Sequence, residues 1–226
     1  MALHLIIGNK NYSSWSFRPW IGMKAAGIAF EETVISLEAK DFKARVMAVS
    51  GAGKVPVLRD GEVRVWESLA ILEYLAEKFP AAGLWPERPA ARAEARAVAS
   101  EMHAGFAPLR RQLPMNMWRP VKARALDAEA SVNVARIDAI WSEALTKSGG
   151  PFLFGKFGAA DAMFAPVVSR FHTYAVTVGA AARSYMNAVM ALPAWSEWRD
   201  AARREPWVLP HDEVDWPQVL KQVLKE

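Results

Sequence analysis

The stretch GKVPVLRDGEVRVWESLAILEYL, residues 53–75, carries the strongest structural signals in the chain. Two short runs rich in β-branched residues, VPVLR and VRVW, flank Asp60-Gly61, a dipeptide typical of a tight β-hairpin turn. Apolar residues then recur at helical spacing through SLAILEYLAEKF. The stretch therefore predicts a hairpin followed directly by a helix that begins beside Glu67 and Ser68.

The residues upstream of the hairpin predict two more strands and one helix. Leu3–Ile7 is a short apolar run, and residues 32–37 alternate and are rich in β-branched side chains, so both are predicted strands. A helix is predicted between them over residues 19–27, where Gly27 ends it. The order indicated by the residues is β-α-β-β-β-α, with a right-handed crossover in the first unit.

The chain downstream of the hairpin changes character. Three prolines and a glycine in PAAGLWPERP predict a linker, and no strand signal follows it. Helices are predicted over residues 90–112, 123–147, 160–177, 180–192 and 195–204. We therefore expect a first domain over residues 1–80, a linker over 81–89 and an all-α domain over 90–226.

Composition excludes several classes of function. The 226 residues include no cysteine, which excludes disulfides, thiolate metal sites and a cysteine nucleophile. The four histidines lack ligand spacing, so we expect no metal. Lys and Arg total 28 against 24 acidic residues without a dense basic tract, so we expect no nucleic-acid partner. We also expect a cytoplasmic protein without a membrane partner, because no apolar run reaches spanning length and no signal peptide is recognisable.

Two features of the opening stretch are typical of a ligand site. Pro56 removes a backbone donor from a strand, so it marks an edge or a bend. A cis bond there would turn the backbone of Val55 outward, where it can pair with an extended peptide. Ser68 would present its hydroxyl at a helix N-terminus, which favours a carboxylate, and Glu67 would bind an ammonium group. An edge strand and ordinary helix capping are the alternatives.

The order GKVPVL, DG and ESLAILEYL, followed by an all-helical half, resembles the cytosolic glutathione transferases. The resemblance implies an α+β thioredoxin-like domain of β-α-β-α-β-β-α type followed by an all-α helical domain. It also implies glutathione as co-substrate, a homodimer and a role in detoxification. The motif match implies that glutathione is bound by Val55, Pro56, Glu67 and Ser68, with Lys40, Lys43 and Lys54 as candidates for its glycyl carboxylate.

In that family a tyrosine, serine or cysteine near the start of the first helix activates the thiol of glutathione. The motif SSWS resembles SSCS of the zeta-type enzymes and predicts a serine-type, theta- or zeta-like bacterial member. Counting back from Ala26-Gly27-Ile28 places the serine of the theta- and zeta-like classes at Ser13, so the resemblance implies Ser13 as the thiol-activating residue, with Ser14 as its rival. Trp15 replaces the zeta-type cysteine, which argues against maleylacetoacetate-isomerase activity.

Pro19 limits where the first helix can begin. Proline lacks an N–H, and its ring clashes with the carbonyl four residues earlier, so it is best tolerated in the first turn. Ser16 is therefore the predicted N-cap. Ser13 and Ser14 are predicted to lie in the preceding loop, and Tyr12 is predicted to pack.

The helical half is expected to hold the electrophile against the first domain. Methionine and aromatic side chains suit such adaptable pockets, although they suit core packing equally. The candidates are Trp15, Met102, Phe106, Met115, Met117 and Trp118. Asp161 matches the aspartate of the family's S/T-x-x-D capping box, which predicts a structural role, with Gly158 at the position of Ser or Thr.

The leading hypothesis is a transferase that conjugates the glutathione thiolate to a hydrophobic electrophile. One hydrogen bond to the thiolate and a helix N-terminus together supply about 2–4 kcal/mol. That is enough to lower a thiol pKa of about 8.5 by about two units. The alternatives are a glutathione-dependent isomerase of maleylacetoacetate-isomerase type and a non-enzymatic glutathione-binding or interaction module.

Overall fold

A four-stranded mixed sheet forms the first part of the molecule in a computed structural model that describes residues 2–221. The spatial order is β2-β1-β3-β4, with β1 parallel to β2 and the other neighbours antiparallel. The strands are β1 (Leu3–Ile7), β2 (Phe30–Val34), β3 (Val57–Asp60) and β4 (Val63–Trp66). The predicted hairpin at Asp60-Gly61 is confirmed, because Asp60 pairs with Val63 across the turn.

Three helices complete this part: α1 (Ser14–Ala25), α2 (Phe42–Val49) and α3 (Ser68–Lys78). The order β-α-β-α-β-β-α implied by the family resemblance is confirmed. The order read from the residues alone was wrong, because it lacked α2. Only Val46 of α2 is buried, so this short helix has no apolar stripe that periodicity can detect.

Six α-helices and no further strand follow in the described residues, as the prediction of an all-helical half requires. The helices are α4 (Pro89–Ala104), α5 (Ala107–Gln112), α6 (Ala128–Ser148), α7 (Ala159–Thr173), α8 (Ala180–Met190) and α9 (Pro193–Arg204). The single helix predicted over residues 90–112 is two helices, because Phe106 adopts a left-handed conformation with φ 61°. The domain limits 1–80, 81–89 and 90–226 stay a prediction, and residues 222–226 lie outside the described residues.

Helix α7 is the centre of the core. Of its 15 residues, all but His172 are buried. Helix α1 packs directly against it and carries Phe17 and Trp20 into the same core. Phe17 stacks on Trp198 of α9 with ring centres 4.8 Å apart. Burying one such side chain contributes about 1.5–3 kcal/mol, so the helical half holds α1 firmly in place.

Helix α1 begins earlier than Pro19 suggested. Ser13 is its N-cap, and the predicted cap Ser16 lies within the first turn, so that prediction was wrong. Pro19 lies inside the helix and removes one backbone hydrogen bond from it. The residues of α1 from Ser16 to Met23 are all buried, and this packing offsets the local cost of the proline.

The start of α7 explains why a glycine occupies the expected Ser or Thr position of the capping box. The carboxylate of Asp161 accepts hydrogen bonds from the backbone N–H groups of Gly158 at 2.9 Å and Leu153 at 3.0 Å. A Cβ atom on Gly158 would lie 2.7 Å from the carbonyl oxygen of Leu84. That carbonyl already accepts a hydrogen bond from Ala159 at 2.7 Å, so it has no freedom to retreat.

We predict that Gly158→Ser, which restores the usual capping residue, destabilises the protein. The clash with Leu84 should lower the free energy of unfolding by about 1–3 kcal/mol, whereas a capping serine alone would raise it. Thermal unfolding of both proteins measures the difference. Gly51→Ser is the matched control, since nothing lies within 4 Å of a Cβ there. A Gly158→Ser protein as stable as the parent would contradict the prediction.

Candidate functional site

A cavity of about 230 Å³ lies where the approach to β3, the start of α3 and the first turn of α1 meet. It is lined by Trp15, Lys54, Val55, Pro56, Trp66, Glu67, Ser68 and His103. Six of these residues were candidates from the sequence. A larger cavity of about 740 Å³ is lined by residues 83–95 and 144–161 and includes none of the predicted glutathione-binding residues.

The Val55–Pro56 peptide bond is cis, as the resemblance implied. Pairing of β3 with its neighbours begins at Val57, so Val55 lies outside the sheet ladder while it lines the cavity. A residue in this position can offer its backbone groups to an extended ligand as a neighbouring strand would.

Glu67 and Ser68 form the opposite wall of the cavity at the start of α3. Glu67 has a φ of 68°, an uncommon conformation for a residue with a side chain, and this strain costs about 1–3 kcal/mol. Ser68 is fully buried, and its Oγ has no hydrogen-bond partner among the described residues. The side chain of Glu67 makes no capping hydrogen bond. A buried hydroxyl and a helix N-terminus therefore face the cavity with capacity for an anionic group.

Trp15 and His103 close the side of the cavity next to the helical half. Their rings meet edge to face with centres 5.2 Å apart, and Nε2 of His103 lies 3.6 Å from the Glu67 carboxylate. Burial lowers the pKa of His103, Glu67 raises it, and the cations of Arg18 and Arg110 lower it further. The net shift is downward, so His103 is neutral at pH 7 and its contact with Glu67 is not an ion pair there.

The two candidate serines lie at the N-terminus of α1, next to Trp15. Ser13, as N-cap, donates from its hydroxyl to Ser16 Oγ at 2.7 Å. Ser14 accepts from Nη2 of Arg170 at 3.3 Å, and no acceptor for its own hydroxyl is found in residues 2–221. Both serines are buried, and neither lines the cavity itself.

Two family profiles match the sequence of this chain. The family profile of the glutathione S-transferase N-terminal domain matches residues 12–78, and that of the C-terminal domain matches residues 56–201. The chain belongs to the glutathione S-transferase family. Within the described residues, no helix is long and apolar enough to span a bilayer, and no cluster of three or more potential metal-binding side chains occurs.

The relatives that match parts of this chain include proteins named as isomerases and proteins named as transferases. A probable maleylacetoacetate isomerase of Caenorhabditis elegans is 37% identical over 98 residues, which cover 43% of this chain and 45% of the relative. GstB of Escherichia coli K12 is 32% identical over 140 residues, or 58% and 65% of the two chains. The chain thus spans about half the length of the isomerases it matches.

The fold itself is shared with solved structures. A glutathione transferase homolog from Burkholderia GL BGR1 with bound glutathione has a TM-score of 0.69 at 22% identity, covering 90% of this chain and 98% of that one. A theta class transferase from Xanthomonas axonopodis pv. citri, also with glutathione bound, has a TM-score of 0.63 at 23% identity and covers 87% and 96%.

The remaining candidates from the sequence lie away from the cavity lining. Lys40 is exposed in the segment before α2, Met102 is fully buried within α4, and Phe106 lies between α4 and α5. Trp118 packs with Tyr12 and Leu209 in a separate cluster, and its indole N–H donates to the carbonyl of Ala202 at 2.7 Å. The structure therefore does not bring Trp118 to the cavity between Val55 and Ser68.

The loop before α1 is held by residues from the far end of the chain. The carboxylate of Glu205 accepts from the backbone N–H groups of Lys10 at 2.7 Å and Asn11 at 3.0 Å. Glu213 accepts from the hydroxyl of Tyr12 at 2.5 Å. Burial, followed by the hydrogen bond and charge of Glu213, raises the pKa of Tyr12, so this residue stays a neutral phenol. The hydroxyl of Tyr12 thus helps to hold the loop, and Glu205 and Glu213 fix the loop that leads to Ser13 and Ser14.

We predict that the pKa of His103 reports the charge of Glu67. Because Glu67 raises this pKa, Glu67→Gln should move it further below its ordinary value of about 6.5. Titration of the His103 ring by NMR measures the change, with the resonance assigned by its loss in His103→Gln. Glu62→Gln, a change to an exposed residue in the hairpin turn, is the control. An unchanged or raised His103 pKa in Glu67→Gln would contradict the prediction.

The lowered pKa of His103 also makes the free energy of unfolding depend on pH. A histidine with a lowered folded pKa contributes stability that is fully present above its unfolded pKa of about 6.5 and is lost as the pH falls through the folded value. The loss on acidification should therefore be smaller in His103→Gln than in the parent protein.

We predict that Glu205→Gln destabilises the protein. The amide offers one acceptor where the carboxylate offers two, so one buried backbone N–H loses its partner at a cost of about 1–3 kcal/mol. Denaturant unfolding measures the loss. Glu197→Gln is the control, because Glu197 makes an exposed ion pair with Lys24, and such pairs contribute little. Equal denaturation midpoints for the two variants would show that the Glu205 contacts do not stabilise the fold.

Proposed function

We propose that this chain is a glutathione transferase that conjugates the glutathione thiolate to an electrophile. The observation that carries the proposal is the cavity between Val55 and Ser68. It is lined by the cis Val55–Pro56 peptide, by Glu67 with its strained backbone, and by Trp15 from the first turn of α1. The unpartnered buried hydroxyl of Ser68 fits a ligand carboxylate. Membership of the transferase family makes glutathione the ligand to test first.

Each wall of the cavity has a distinct role in this proposal. The backbone of Val55 pairs with the cysteinyl part of glutathione. Ser68 and the N-terminus of α3 bind the γ-glutamyl carboxylate, and Glu67 binds the adjacent ammonium group. Lys54 lines the cavity and Lys40 does not, so Lys54 is the better candidate for the glycyl carboxylate.

The thiol is activated at the first turn of α1. Ser13 was the first candidate from the sequence, but its hydroxyl already forms a hydrogen bond with Ser16 Oγ at 2.7 Å. The hydroxyl of Ser14 accepts from the guanidinium of Arg170, which polarises it as a donor to a thiolate. These hydrogen bonds favour Ser14 as the activating residue. Glutathione supplies the nucleophile, and the serine only stabilises its thiolate form.

We predict that Ser14→Ala reduces kcat/KM for conjugation and raises the thiol pKa seen in its pH profile. The loss of one hydrogen bond to a charged sulfur corresponds to about 10–100-fold in rate. Ser13→Asn keeps a capping side chain without the hydroxyl, so it should retain most of the activity. An unaltered pH profile in Ser14→Ala, with a shifted one in Ser13→Asn, would assign the role to Ser13 instead.

A glutathione-dependent isomerase is the second candidate function, favoured by the relatives named as maleylacetoacetate isomerases. Trp15 stands where the zeta-type motif has cysteine, and this argues against it. Assaying conjugation and cis–trans isomerisation side by side separates the two. Glutathione binding without either reaction would favour a non-enzymatic binding module, because one fold can serve several functions.

The proposed assembly and location follow the family. We propose a cytoplasmic homodimer, with the first domain of one subunit against the helical domain of the other. Val63 on the edge strand β4 is 46% exposed and offers one apolar side chain for contact with a second copy. Light scattering of the purified chain tests the dimer.

A further inference from the structure

Three arginines from three helices meet beneath Trp15; we refer to them as the arginine cluster. They are Arg18 of α1, Arg110 of α5 and Arg170 of α7. The guanidinium carbon of Arg18 lies 4.0 Å from the centre of the Trp15 ring and that of Arg110 lies 5.5 Å from it. Arg170 donates to Ser14. Trp15 lines the proposed glutathione cavity, so the cluster lies directly behind this part of the cavity wall.

The cluster has no matching negative charge. Within residues 2–221, none of the three arginines forms an ion pair with a carboxylate. Arg18 is fully buried and donates from Nε to the carbonyl of Met163 at 3.0 Å, whereas Nη1 and Nη2 have no partner there. Arg170 donates to backbone carbonyls of Leu113 and Pro166. The charge of Asp212 raises the pKa of Arg170, but burial lowers that pKa by more.

Such an arrangement is energetically unfavourable without an anion. Burial and then the repulsion of Arg170 and Arg110 lower the pKa of Arg18, and burial lowers the pKa of Arg170 to about 10. Arginine nevertheless stays charged at neutral pH. A buried guanidinium with two unpartnered nitrogens loses its hydration without compensation. A carboxylate between the guanidinium groups would supply both the missing hydrogen bonds and the missing charge.

We propose that the arginine cluster is a carboxylate-binding subsite for the electrophile, so that the preferred second substrates are apolar electrophiles that carry one acidic group. The proposal rests on the proposed transferase function for its reaction, but the binding of the acid does not. The subsite adjoins Ser14, so a carboxylate held there places the rest of the electrophile beside the thiolate. Trp15 is only partly buried and stacks on Arg18 in the free chain. The incoming acid takes the place of this ring against Arg18, and the ring then packs on the apolar body of the substrate.

Glutathione is the other possible source of a carboxylate. Its two carboxylates are assigned to Ser68 and Lys54 in the proposed function, and both residues line the cavity, whereas none of the three arginines does. The electrophile is therefore the ligand that the position of the cluster favours, and the experiment includes an arm for glutathione.

The test compares 4-chloro-3,5-dinitrobenzoate with its methyl ester as electrophiles. In both, the thiolate displaces chloride from the same ring carbon, so a carbon–sulfur bond forms and chloride leaves. Rates are divided by those of the uncatalysed reaction with glutathione to remove intrinsic reactivity. We expect kcat/KM for the acid to exceed that for the ester by about tenfold or more, since a bidentate charged contact is among the stronger hydrogen bonds.

Variants of the cluster assign this preference to its residues. Arg18→Gln and Arg110→Gln should each lower kcat/KM for the acid about tenfold or more and change that for the ester little. Arg111→Gln is the matched control, because Arg111 is exposed and pairs with Glu129 on the surface. Arg110 is only half-buried, so its variant keeps the test available if Arg18→Gln does not fold.

Three outcomes overturn the proposal. Equal corrected rates for acid and ester in the parent protein would show that the cluster does not select a carboxylate. A parallel loss for both electrophiles in Arg18→Gln and Arg110→Gln would assign the cluster to the thiolate. A tenfold weaker binding of S-methylglutathione to either variant would assign it to glutathione.

A binding experiment distinguishes failure of the subsite from failure of the transferase function. Calorimetric titration of 4-chloro-3,5-dinitrobenzoate and its ester, without glutathione, needs no turnover. Tighter binding of the acid, lost in Arg18→Gln or Arg110→Gln and kept in Arg111→Gln, supports the subsite even if conjugation is absent. Equal binding of acid and ester overturns it even if conjugation is observed.

Discussion

The packing of α1 against α7 is the contact on which the rest of the structure depends. At Gly22 the helix lies between two others: a Cβ there would lie 2.7 Å from Leu72 of α3, which is too close, and 3.5 Å from Cβ of Ala162 in α7, which is an ordinary contact distance. The part of the chain that carries the sheet thus contacts α7 at Gly22, which lies against Ala162. Since the first turn of the same helix carries Ser13, Ser14 and Trp15, the position of the proposed thiolate site is fixed by this interface.

The electrostatics of the site divide along α1. On the side of α3, Glu67 and the free helix N-terminus provide groups of both signs for a ligand with both charges. On the side of α7, the arginine cluster contributes only positive charge. His103, kept neutral by burial and by the neighbouring cations, lies between the two sides. In the proposed function, this division places glutathione and the electrophile in separate electrostatic environments.

The parts of the structure that follow local rules were predictable from the sequence. The hairpin turn and the helix after Glu67 each have a signature within a few residues, and both predictions were right. Helix α2 was missed because it buries one residue, and the start of α1 was misjudged because tertiary packing outweighs the cost of Pro19. His103 was missed because a single histidine on a helix has no motif. The arginine cluster was missed because Arg18 and Arg110 lie 92 residues apart along the chain, and Arg110 and Arg170 lie 60 residues apart. Such sites exist only after the helices have packed.

The contacts of Glu205 and Glu213 with the loop before α1 also affect when the site can form. These acids lie 195 and 201 residues after their partners Lys10 and Tyr12. During synthesis the sheet and the first helices can emerge and begin to fold while the loop that leads to Ser13 and Ser14 still lacks its anchors. The loop before α1 is therefore completed by residues that are synthesised about 200 positions later, and a chain that stops before Glu205 lacks both of these anchors.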